Sequence, residues 1–259
     1  MTLTGITANN IQGSTVATIL TAAFKALEIE LPKPIAQAEQ SARTIGDAFG
    51  RVPSIDVNKL AVDELTAGRN PLDNPDLQRG LAREALGARI RGLQEEAWRR
   101  FATALLEHRE DAANRLFDRA EEIYTRGHAA HEALGPINLD DAHSIINRGQ
   151  AAIDHWNHAR TLNVMHPRII QAWGLIHRPS NLGAAPLEAW AVATLDQIDS
   201  YNDLFKQDQT PWAAIGKGIK LDLTDLEGLA KREEARDAAL AKRRRDREEA
   251  KQKYQAEHF

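Results

Sequence analysis

Between Asn74-Pro75 and Gly135-Pro136 the chain carries no proline, and its apolar positions keep one helical rhythm. Leu86, Ile90, Leu93, Ala97, Phe101, Leu105, His108, Ala112, Leu116, Ala120, Ile123, Gly127, Ala130 and Leu134 recur every ~3.7 residues, close to the α-helical period. The pattern predicts helix over most of Asn74–Leu134. Asn74 is a good cap, Pro75 suits the first helical position, and Gly135 is a stop. Gly80, Gly87 and Gly92 each weaken the first third by about 1 kcal/mol relative to alanine.

The flanking segments read the same way. Ser14 caps a helix to about Glu30, and Pro34 begins a second that Gly50 stops. A third runs from Val57 to Ala67 before Gly68, and residues 68–74 have turn chemistry. Beyond the long helix, Asn138 opens another, Pro167 a short one, Pro186 one bearing Trp190, and Thr210-Pro211 a short turn. Thr224-Asp225-Leu226-Glu227 is a capping box that starts a final helix. No segment alternates with period two. The expectation is an all-α fold: helical hairpins or a bundle around one long helix, with a projecting charged C-terminal helix. Three segments follow: 1–68, a small helical region; 69–220, the long helix and hairpin body; and 221–259, the charged helix.

Composition agrees, since 42 of 259 residues are alanine against 16 glycine and 10 proline. Charge adds something new. Residues 231–259 hold 10 basic and 7 acidic side chains, while the rest holds 23 and 30. An acidic body with a basic end calls for a negative partner: nucleic acid, an acidic protein surface, or another copy of the chain. Arginine supplies 23 of the 33 basic residues, as GC-rich coding tends to give in a bacterium or its phage. The most apolar stretch, Val16–Ile29, is interrupted by Lys25 and Glu28 and is too short to span a bilayer. No positive leader precedes Lys25, so the expected location is cytoplasmic, or virion-associated for a phage protein. No membrane association is expected.

The candidate chemistry is sparse. Without cysteine there are no disulfides, thiolate ligands or cysteine nucleophile. No phosphate loop, dinucleotide fingerprint, nucleophile elbow or zinc-protease helix occurs, so no catalytic residue and no cofactor is assigned. Arg232, Arg236, Arg243, Arg247 and Lys251 recur at steps of 4, 7, 4 and 4 on one face of the final helix. They form the candidate binding stripe, for phosphates or an acidic partner. Lys242, Arg244 and Arg245 thicken it, with Arg244–Glu248 and Arg245–Glu249 spaced to form ion pairs. The alternative is a solvated, salt-bridged helix that binds nothing. His128, His131 and His143 would converge if the helices beside Gly135-Pro136 formed a hairpin with His131 opposite Ala142 and His128 opposite Ile145. They are the weak metal candidates. His155 and His158 fall too far along to join them.

The leading functional expectation is a non-enzymatic assembly, scaffold or protein-interaction protein that works through helix–helix contacts and self-association. In organisation the chain resembles bacteriophage scaffolding and head-assembly proteins, on the strength of its segment Lys231–Lys253. The resemblance implies a basic C-terminal helix that docks on coat protein. The alternatives are a nucleic-acid-binding accessory protein using the same helix, and a histidine-based metal protein.

Overall fold

The computed structural model describes residues 12–50, 56–177, 179, 192–193, 197, 210–224 and 226–258, apart from some side chains, those of Arg236 and Arg243 among them. The helix expected from Pro186 lies outside the described residues. The fold is all-α, and no strand occurs among the described residues. No helix among them is long and apolar enough to cross a membrane.

The helices are α1 (Gly13–Ala26), α2 (Lys33–Gly50), α3 (Val57–Thr66), α4 (Pro75–Glu107), α5 (Arg109–Leu134), α6 (Ala142–Ile146), α7 (Gln150–His177), α8 (Pro211–Gly216) and α9 (Leu226–His258), with a 3-10 turn at Pro71–Asp73. Packing divides the chain at points other than the three expected segments. One compact unit comprises Ile6–Ala17 and Leu31–His108; the other comprises Met1–Gly5, Thr18–Glu30 and Arg109–Phe259.

The long helix is interrupted at one residue. His108 leaves the helical region with φ −111° and ψ 18°, although its N–H still donates to the Ala104 carbonyl. Neither glycine nor proline stands there, so nothing in the local residue types announces the break between α4 and α5.

In the unit holding α2, α3 and α4, the packed side of α4 is not the stripe expected from Leu86 and Leu93. Those two are 53% and 58% exposed, while Leu77, Gly80, Gly87, Ala97, Phe101 and Leu105 are buried. Two of the three glycines that cost helix propensity, Gly80 and Gly87, are thus on the packed side, whereas Gly92 is exposed. Asn74 caps α4 as expected, accepting from the N–H groups of Asp76 and Leu77. Its amide also donates to Glu64 Oε1 at 2.9 Å, and Arg69 grips the same carboxylate at 2.7 Å. The Arg69 hydrogen bond, followed by that of Asn74, holds Glu64 down at about 2. Asn74→Ala is expected to cost this unit about 1 kcal/mol from the cap alone. An unchanged urea midpoint would show that the cap contributes nothing.

In the other unit α5 packs against α7. Its inner side is Ala112, Ala113, Leu116, Ala120, Ile123, Tyr124, Gly127, Ala130 and Leu134, all buried. A Cβ on Gly127 would come within 2.8 Å of Leu162, so glycine sets the closest approach of the two helices. The expected hairpin register is corrected here. Tyr124 meets His166 and Gly127 meets Leu162, because residues 135–149, including α6, intervene before α7 begins. Asp141, not Asn138, caps α6. Pro167 starts no helix and lies inside α7. Below the turn at Gly135 (φ 70°), Ala130, Leu134, Ile145, Ala159 and Trp212 form a core cluster that Trp156 closes from its side.

Candidate functional site

Two places in this second unit gather the residues singled out above: the end of α5 facing the segment after α8, and α9 itself.

At the first, α8 opens on Thr210, whose hydroxyl accepts from the Ala213 N–H. A turn at Lys217 and Gly218, which takes φ 81°, follows its end at Gly216. The chain then runs without helix through Ile219, Leu221 and Leu223, all at most 3% exposed, toward α9. The Leu221 N–H donates to Nε2 of His128 at 3.1 Å. Burial pulls His128 below the ordinary imidazole range; the Leu221 backbone and Glu132 oppose it, while Lys220 and His131 push the same way as burial. One turn on, His131 meets the Trp212 ring edge-on with centroids 5.0 Å apart, and its buried Nε2 has no hydrogen-bond partner. An open cleft of about 580 Å³ lies here, lined by Thr125, His128, Glu132, Gly218 and Lys220 among others.

His143 stands exposed on α6. No three histidine, aspartate or glutamate side chains among the described residues are placed to hold one metal ion. His128, His131 and His143 therefore do not make a centre. The reason is the corrected register: it turns His128 toward Leu221 and His131 toward Trp212. His155 and His158 lie on α7, where neighbouring Trp156 is occupied by the Leu139 carbonyl on its indole N–H and by Arg160 over its ring.

At the second place, α9 runs for 33 residues. The five expected stripe residues do not share one role. Arg232 is half-buried and turns back to the start of the helix, donating to the carbonyl of Asp222 at 3.3 Å and to its carboxylate at 3.4 Å. It anchors the helix. The side chains of Arg236 and Arg243 lie outside the described residues. Arg247 and Lys251 are exposed, and so is every other described side chain from Asp237 onward. The expected pairs Arg244–Glu248 and Arg245–Glu249 are not closed, whereas Lys231 pairs with Glu227 at 2.6 Å in the first two turns. Lys242, Arg244, Arg245, Arg247 and Lys251 thus stand in solvent with no carboxylate on them.

The anchoring roles of His128 and Arg232 escaped the sequence, because each depends on a contact with residues 221–222 that no periodicity encodes. No family model, no curated protein and no solved structure matches this chain.

Proposed function

We propose that this chain is a non-enzymatic assembly protein that captures an acidic protein partner through α9. One observation carries the reading. A 33-residue helix presents Lys242, Arg244, Arg245, Arg247 and Lys251 to solvent without intramolecular partners. A helix with so little packing is marginal in water, and a partner would complete it. The organisational likeness to phage scaffolding proteins supports the same reading.

Nucleic-acid binding is the second reading, favoured by the same free cations. Against it, Asp246, Glu248 and Glu249 stand exposed on the same helix and would face the phosphates with like charge.

Poly-glutamate and a DNA duplex, each titrated against the full chain, separate the two. Binding of poly-glutamate, lost on truncation after Ala230 and in R244E/R247E, is the expected result. The truncated chain should keep its helical core, because the removed segment contributes almost no apolar burial. Steeply salt-dependent binding of DNA alone would replace the first reading with the second. Binding of neither would overturn both.

A further inference from the structure

The acidic excess is unevenly placed. Leu31–His108 holds 11 acidic and 11 basic residues, whereas Thr18–Glu30 with residues 109–230 holds 19 acidic and 12 basic. Within that second region α5 sorts its charges by face. Arg115 is held by Asp111 and by the Glu30 carbonyl. Arg119 is held by the Leu27 carbonyl and by Glu122, and Arg126 by Glu122 as well. These arginines share one side of the helix. On another side Glu110, Asn114, Asp118, Glu121 and Thr125 are all exposed. They fall within an arc of about 80° at 3.6 residues per turn. No cation pairs with Glu110, Asp118 or Glu121.

On α9, Arg244, Arg247 and Lys251 are spaced three and four residues apart, hence on one face, and all three are exposed. They span about 10 Å along the helix, so the basic row fits within the about 16 Å that separate Glu110 from Glu121 along α5, at 1.5 Å per residue. Each row is uncovered within a single chain. A row of cations that carry no carboxylate and a row of carboxylates that carry no cation are complementary surfaces, and opposite potentials steer such rows together.

We propose that α9 of one copy docks along the Glu110–Glu121 face of α5 in a second copy, an inference that rests on the reading of α9 as the binding element. A second copy fits better than a nucleic acid, because the acidic excess of the unit that carries α9 repels a polyanion and attracts α9.

Sedimentation velocity of the full chain, over a range of concentration and salt, tests it. The parent should associate with rising concentration and dissociate as salt screens the charges. R244E/R247E and D118K/E121K should each weaken association at least about tenfold. An equimolar mixture of the two should recover it, since each reversed row then meets its opposite. E110Q/D118N/E121Q, which only neutralises the face, should weaken association if the lysine variant fails to keep its helicity. A parent that stays monomeric at low salt, association that ignores all three variants, or a mixture that shows no recovery would each overturn the inference. Poly-glutamate binding by a monomeric parent would sink this inference alone and leave the reading of α9 standing; absence of that binding sinks both.

Discussion

Cutting Trp173 back to alanine is expected to destabilise the unit that contains α5 and α7 by about 3–5 kcal/mol. Trp173 is completely buried on α7, between Ile169 and Ile176, which are also closed to solvent. Its ring lies parallel to that of His177, at 8° with centroids 6.4 Å apart. Removing the indole opens a cavity that a close-packed core relaxes into only partly, so the cavity term adds to the lost transfer energy. The indole N–H has no hydrogen-bond partner among the described residues, so Trp173→Phe sacrifices only part of the volume and should cost clearly less. Urea unfolding of the three chains measures both differences. Equal midpoints for alanine and parent would mean that Trp173 is not in the cooperative core.

How far such packing could be read beforehand differs from element to element. The termini of α3, α4 and α8 were legible because capping is local chemistry: Gly68, Asn74 and Thr210 act on groups within a few residues of themselves. The buried side of α5 was legible too, since Ala112, Leu116, Ala120, Ile123, Gly127, Ala130 and Leu134 keep one register and all are buried. On α4 the same rule misassigned Leu86 and Leu93, because glycines carry no hydrophobic signal and yet form part of its packed side. Pro167 misled for a related reason. Proline forbids one hydrogen bond, but a helix held by Leu162, His166, Ile169 and Trp173 on its buried side can bear that loss of about 3 kcal/mol. The hairpin register, and with it the histidine site, depended on fifteen residues between Gly135 and Gly149 whose path no period reveals. The basic helix was plain in the sequence. That Lys242, Arg244, Arg245, Arg247 and Lys251 stand unpaired was not, since i,i+4 spacing allows a pair without requiring one.

The strongest pH effect is expected at His128. Its Nε2 accepts the Leu221 N–H at 3.1 Å, which requires a neutral ring with a lone pair on that nitrogen. Burial lowers its affinity for a proton below that of an ordinary imidazole. The unfolded chain therefore takes up the proton more readily than the folded one. The contribution of His128 to stability is fully present above the unfolded value of about 6.5, and it is lost as pH falls from there toward the lower folded value. His128→Gln keeps an acceptor and cannot titrate, so its stability should vary less with pH across that window than the parent's. His128→Leu removes the acceptor at every pH and leaves the N–H of Leu221, a residue only 3% exposed, without a partner, at a cost of about 1–3 kcal/mol. Ile219 and Leu223 flank Leu221 and are equally buried, and the segment leads directly into α9. Protection of the Leu221 amide, taken relative to the intrinsic exchange rate at each pH, should thus fall below pH ~6.5 in the parent, be low at all pH in the leucine variant, and stay high in the glutamine variant. Protection that falls alike in parent and glutamine variant would show that a group other than His128 controls the release of this segment.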